Sequence, residues 1–222
     1  MSTRAARNAR RSTQGAAPAD PPLSREFYAR STELVARDLL GCILECRTEA
    51  GVASGRIVET EAYLGEHDLA CHAAAGRTRR TQPLYGPPGT AYVYFIYGVH
   101  WCFNAVTREE GLPSAVLVRA LEPLTGVDLM QTRRPHARKN EDLTNGPGKL
   151  CAALGIDVRH NALSLNRAPI VIRQGAPVPD DRVLVTPRIG IRESADWPLR
   201  WFVADNPHVS RTPSAFPRLR LK

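Results

Sequence analysis

Lysine is almost missing from this chain of 222 residues: Lys139, Lys149 and Lys222 are the only three among 30 cationic side chains. Aromatic residues are also few, at 6%. No apolar run approaches the roughly eighteen residues that a membrane-spanning helix needs, so no membrane partner is expected. No Cys-x-x-Cys pair occurs, and the five cysteines, Cys42, Cys46, Cys71, Cys102 and Cys151, are an odd number. This argues against a zinc ribbon and against a secreted disulfide framework. Cys42 and Cys46 would lie about 13 Å apart along one strand, too far to bridge. A reducing, cytoplasmic location is therefore expected. His67, Asp68, Cys71 and His72 lie close together, but no second group of ligands has matching spacing, and no metal site is expected. Repeats, heptads and a linker to a second domain are likewise lacking, which leaves one domain of ordinary size.

What is present is positive charge. The formal net charge is +8, and its arginine bias makes a polyanion the first partner to consider, because guanidinium groups bind phosphate bidentately and release counterions. Residues 1–20 carry Arg4, Arg7, Arg10 and Arg11 without the apolar core of a signal peptide, and are expected to form a disordered basic tail. Folded sequence is expected over 21–210, and a second basic tail over 211–222.

The stretch Arg56-Ile57-Val58-Glu59-Thr60-Glu61-Ala62-Tyr63 organises the rest. Ile57 and Val58 start it as a buried strand, and the two-residue period of a strand puts Glu59, Glu61 and Tyr63 on one side. Burying carboxylates costs several kcal/mol each unless they are paired. Two readings of the pair are open: a general base beside a flat aromatic platform, or a strand end whose glutamates are solvated or meet arginines.

Ser31 or Thr32 is expected to cap a helix running to Leu40, with Leu34, Val35, Leu39 and Leu40 on its apolar face and Gly41 ending it. Strands over 41–48 and 52–63 would form a hairpin around Glu49-Ala50-Gly51. Residues 65–89 read as a long irregular loop whose Arg77, Arg79 and Arg80 form either a phosphate clamp or a solvated basic surface. Half of the six tyrosines, Tyr92, Tyr94 and Tyr97, lie in one aromatic strand ended by Gly98. Such rings either fill a core or offer faces on which bases stack. In an unbroken strand Tyr94 and Tyr97 would face opposite ways. The next strand, 101–106, is interrupted by Asn104, and the strand over 114–121 by Arg119, whose charge must find a carboxylate. A helix capped by Thr125 is expected through Arg134. Asn145-Gly146-Pro147-Gly148-Lys149 leads into another, ended by Gly155, and its backbone amides and lysine suit a phosphate. Short strands are expected at 170–173, 183–186 and 200–203.

With these residues in hand, the chain resembles the alkyladenine (3-methyladenine, methylpurine) DNA glycosylases, base-excision repair enzymes of the mammalian type and their bacterial relatives. The matching segments are 55–63, Ala70-Cys71-His72, 88–98, Val118-Arg119-Ala120-Leu121-Glu122-Pro123, Asn145-Gly146-Pro147-Gly148-Lys149-Leu150, Pro187-Arg188-Ile189-Gly190-Ile191 and 198–203. The resemblance implies an α+β fold, a single mixed domain with a curved, mainly antiparallel β-sheet and flanking helices. It implies a monomeric, monofunctional glycosylase without cofactor or metal, acting on double-stranded DNA that contains damaged purines. It also implies roles. Glu61 matches the general base. Tyr63, His72 and Tyr94 match the side chains that enclose the flipped base, with Asn104 lining the pocket, Ala62 beside it and Arg119 holding the water and backbone. Tyr97 matches the wedge in the duplex, and Arg77, Arg79 and Lys149 are expected to meet the DNA backbone. These roles fit the chemistry. A stacked base must be extruded before it can be reached, electron-rich rings suit electron-poor alkylated purines, and glycosidic cleavage needs a carboxylate and a positioned water.

Overall fold

The computed structural model describes residues 20–221, so the expected N-terminal tail lies, but for Asp20, outside the described residues. The chain opens with two short helices, α1 (Arg25–Tyr28) and α2 (Thr32–Asp38). The Oγ of Ser31 accepts the Leu34 N–H at 3.4 Å, which caps α2, and Gly41 at φ 91° turns the chain out of it. Leu34, expected from its spacing to face the core, is instead 55% exposed. In a helix of seven residues the buried stripe is Thr32, Val35 and Ala36, continued by Leu39, and Leu34 lies about 150° around the axis from the middle of it.

The strands follow as β1 (Ile43–Thr48), β2 (Gly51–Tyr63), β3 (Ala91–Ile96), β4 (His100–Val106) and β5 (Ala115–Thr125). After helices α3 (Val127–Arg133) and α4 (Pro147–Leu154) come β6 (Asn166–Arg167), β7 (Ile170–Arg173), β8 (Val183–Thr186), β9 (Arg200–Val203) and β10 (Leu219–Arg220). Every pairing is antiparallel, which makes the fold α+β with one sheet and flanking helices. Thr125 does not cap α3. It pairs with Ser54 as the last residue of β5, and Gly126 at φ 72° stands at the start of the helix instead.

β2 is the hub. On one edge it pairs first with β1 and then, along Glu59–Glu61, with β9; on the other edge it pairs with β5, which leads on to β4 and β3. The apolar face of the sheet packs on α2 and α4, where Val35, Leu39, Ile57, Phe103, Leu150 and Leu154 are essentially inaccessible. Each such side chain contributes roughly 1.5–3 kcal/mol by leaving water. All five cysteines are buried and unpaired. The segment expected as a long irregular loop contains two 3₁₀ turns, His72–Ala75 and Gln82–Tyr85, and is tied down by Thr81, whose Oγ1 donates to the Gly76 carbonyl at 2.8 Å. At the other end, Leu219 and Arg220 pair with β8. Among the described residues no helix is long and apolar enough to cross a membrane.

Candidate active site

Two bulges build the centre of the site. In the ladder between β2 and β5, Val58 has no partner on β5 and Arg119 none on β2, because Ile57 pairs with Leu121, Glu59 with Ala120 and Thr60 with Val118. A bulge bends its strand and re-aims the extra residue. Arg119 thereby reaches both glutamates: its Nε donates to Glu59 at 3.0 Å and its Nη1 to Glu61 at 3.2 Å. Past the bulge the two-residue period resumes, and Glu59, Glu61 and Tyr63 share a face as their spacing requires. The Tyr63 hydroxyl donates to Glu61 Oε2 at 2.9 Å.

The two carboxylates, both buried, differ in how completely they are bonded. Glu59 accepts four bonds: on Oε1 from Arg119 Nε at 3.0 Å, Arg200 Nε at 2.7 Å and the Ser210 hydroxyl at 2.7 Å, and on Oε2 from the Ser210 N–H at 2.8 Å. Burial works against its ionisation, but the two guanidinium groups and Ser210 outweigh that and hold its carboxyl below the usual carboxylate range. Glu61 accepts three bonds: from Tyr63 and Arg119 on Oε2, and from the Ile189 N–H at 2.7 Å on Oε1. A carboxylate has about four acceptor positions, two to each oxygen, so one on Glu61 Oε1 stays open.

Beside this centre lies a small pocket, partly open to solvent, lined by Tyr63, Cys71, His72, Tyr92, Tyr94 and Asn104 among others. Cross-strand register explains the lining: Tyr92 pairs with Asn104, Asn104 with Leu117 and Leu117 with Glu61, so one row of residues crosses four strands. The rings of His72 and Tyr94 meet edge to face at 4.4 Å, and the His72 Nδ1 lies 2.8 Å from the Tyr92 hydroxyl. Burial first, and the charge of Arg80 second, push the His72 pKa down to about 4, so its ring is neutral at neutral pH. Burial and the neighbouring Glu61 carboxylate push the Tyr63 phenol far above its ordinary value, which keeps it a donor. Asn104 donates from its amide to the Tyr92 carbonyl at 3.0 Å. Ala62 is the exception among the expected pocket residues. Its side chain is buried on the core side, its N–H goes to the Leu199 carbonyl, and its carbonyl accepts from Arg188.

The turn from β3 to β4 carries Tyr97 and Gly98, both at positive φ, 55° and 68°, the pattern of a type I′ hairpin turn. This breaks the strand parity that would set Tyr97 opposite Tyr94, and lifts its ring out of the sheet to 80% exposure. Val99 and Phe95 beside it are 65% and 44% exposed, so the tip is an apolar prong. Next to it, Gly148 at the start of α4 lies against His100, where a Cβ would come within 2.8 Å of the ring. Lys149 Nζ donates to Asn145 at 2.6 Å. Arg77 donates to Gln82 at 3.0 Å and lies over the Tyr85 ring, while Arg79 is exposed.

Several participants carried no role in the sequence. Arg188 is fully buried, pairs with Asp68, and stacks 4.7 Å from the centre of the Tyr63 ring, holding that ring from behind. Ile189 fixes Glu61 through its backbone. Both lie in the segment Pro187-Arg188-Ile189, which marked them without saying what they touch. Because Asp68 is occupied by Arg188, it is not free to join His67, Cys71 and His72 as a ligand. A Cys-His-Asp set elsewhere has the wrong polarity for a nucleophile. The Asp157 N–H donates to His160 Nδ1 at 3.2 Å, which leaves Nε2 as the donor that faces Cys46 Sγ at 3.4 Å. Burial also pushes the Cys46 thiol up to about 11.

Comparison with known proteins bears on this geometry. The family described as methylpurine-DNA glycosylase (MPG) matches residues 26–207. A protein of Myxococcus xanthus named "Putative 3-methyladenine DNA glycosylase" is 48% identical over 194 residues, covering 86% of this chain and 94% of that protein. Proteins with the same name from Methanoculleus marisnigri and Carboxydothermus hydrogenoformans are 48% and 45% identical, each covering 85% of this chain and 98% of their own length.

Proposed function

Because the chain belongs to the methylpurine-DNA glycosylase family, and is thus a DNA-repair hydrolase of N-glycosyl bonds, we propose that it flips damaged purines from duplex DNA and cleaves them with a water activated by Glu61. The open acceptor position on Glu61 Oε1 carries this reading. Glu59 by the same count keeps a position on Oε2, but it is held by four bonds and two guanidinium groups; Glu61 accepts three, meets one guanidinium and bonds Tyr63, a wall of the pocket, so Glu61 has room there for the proton of a water. In the step proposed, the water oxygen bonds to C1′, the C1′–N bond breaks with its electron pair leaving on the base, and Glu61 takes the proton. The products are an abasic site and a free base. The carboxylate also opposes positive charge developing on the sugar.

In this reading Tyr63, His72 and Tyr94 enclose the extruded base, and Asn104 contributes its amide to the pocket. Arg119 orients Glu61 and the water, and Ala62 acts through the backbone it shares with its neighbours. Tyr97 fills the gap left in the duplex, while Arg77, Arg79 and Lys149 meet phosphates. Among the described residues the partners of Glu61 are Tyr63, Arg119 and Ile189, none of them a lysine that could attack C1′, which supports a monofunctional enzyme; the reading is completed by a monomer that works on DNA in the cytoplasm and needs no cofactor. The test is incubation with duplexes that each hold one hypoxanthine, 3-methyladenine, 7-methylguanine or ethenoadenine, followed by hot alkali to cut at abasic sites. Cleavage is expected with the wild type. Glu61→Gln is expected to lose roughly 10²- to 10⁴-fold in rate, the usual range for a missing general base. Near-normal turnover by that variant would remove Glu61 from its role, and a covalent adduct trapped by borohydride would defeat the monofunctional assignment.

A further inference from the structure

Arg80 is exposed, and its guanidinium carbon lies 5.5 Å from the centre of the Tyr94 ring, one wall of the pocket. It forms no ion pair with any described carboxylate. The buried acids of the site are paired with other arginines: Asp68 with Arg188, Glu59 with Arg119 and Arg200, Glu61 with Arg119. Its charge is felt inside the pocket, since it helps to hold down the proton affinity of His72 and partly offsets the upward push of burial on the Tyr92 phenol.

Resting on the glycosylase reading above, we propose that Arg80 determines specificity: it tilts the pocket toward uncharged purine lesions with acceptor edges and away from purines made cationic by N-alkylation. Bare aromatic walls would favour a cationic base, through the negative face of each ring. Here the protein's own guanidinium already lies over one of those rings, Tyr94, at the edge of the pocket. A cationic base entering the pocket meets a like charge that no carboxylate neutralises, in a site where partial burial weakens screening. A guanidinium offers donors alone, so it complements the carbonyl oxygen or ring nitrogens of a neutral base such as hypoxanthine.

The experiment compares single-turnover excision of hypoxanthine and of 7-methylguanine, from otherwise identical duplexes, by wild type, Arg80→Gln, Arg80→Lys and Arg80→Glu. Arg80→Gln is expected to raise the ratio of 7-methylguanine to hypoxanthine rates by on the order of tenfold, the scale of one like charge acting across a partly screened distance. Arg80→Lys should keep the wild-type ratio, and Arg80→Glu should raise it further. An equal loss on both lesions, with the salt dependence of binding reduced by about one charge, would make Arg80 a phosphate contact and overturn the proposal. An unchanged ratio in all variants would overturn it too. Wild-type protein that is folded yet excises neither base would defeat the glycosylase reading itself, which is a different outcome from either.

Discussion

At Glu59 and Glu61 the same side chain, two residues apart on one strand face, is given different work by the donors around it. Both were visible in the sequence as a carboxylate pair near an aromatic ring, and Arg119 was visible as a charge in need of a partner. The resemblance pointed to Glu61 as the base, but the residue pattern by itself did not separate the two, because the partners that differ are Arg200 and Ser210 for Glu59 and Ile189 for Glu61, between 128 and 151 positions along the chain. No periodicity encodes such distances. Glu59→Gln should therefore act on stability: it leaves Arg119 and Arg200 facing a neutral amide in a buried place, a loss of roughly 3–5 kcal/mol. Urea unfolding checks this, and an unchanged midpoint would show that the cluster does not hold the fold. His72 supplies a pH dependence. The unfolded chain takes up its proton near pH 6.5, whereas the folded ring refuses it until about pH 4. Between those values the unfolded state binds more protons, so stability should decline as pH falls through that window. In His72→Gln the slope between pH 6.5 and 4 should flatten. Glu59, held below its ordinary value, contributes stability that persists above about pH 4.3 and is lost only at lower pH.

The hairpin of β3 and β4 is the element that links pocket to prong, since Tyr94 and Tyr97 stand about 10 Å apart along it at 3.3 Å per residue. Tyr97→Ser should leave the melting curve within about 0.5 kcal/mol of wild type, as expected for a surface change. Excision from a matched, stable duplex should suffer most, and the deficit should shrink when the lesion sits in a mismatch, where less unstacking must be offset. A uniform loss on both duplexes would separate Tyr97 from base extrusion. Elements with a strong pattern were legible from sequence: β7, β8 and β9 coincide with the expected strands, and α4 runs through Leu154 and ends at the glycine foreseen for it. Those without one were not. Two-residue strands such as β6 and β10 have no period to detect, and the bulges at Val58 and Arg119 exist only as a mismatch between two strands. The outward swing of Tyr97 depends on a non-glycine residue at positive φ, which local sequence disfavours and the turn imposes.

Across the whole molecule the site is stitched from distant parts of the chain: β2 and β5 hold the acids and Arg119, β9 supplies Arg200, and the stretch after it supplies Ser210. The sheet hub and its antiparallel class followed from the resemblance and the strand pattern, but the closure by Ser210 did not, because no periodicity marks the last residues of the expected folded stretch 21–210. The same packing hides every thiol. All five cysteines are buried, and burial raises Cys42 and Cys46 to about 11 and lifts Cys71, Cys102 and Cys151 above their ordinary value. The thiolate is the reactive form. Native protein should therefore resist a disulfide reagent that labels five sites once the chain is unfolded, and rapid labelling of the native state would contradict this burial. The electrophiles that methylate purines attack thiolates as well. A protein whose thiols are all withdrawn from solvent and held protonated can stay intact in the chemical weather that creates its own substrates.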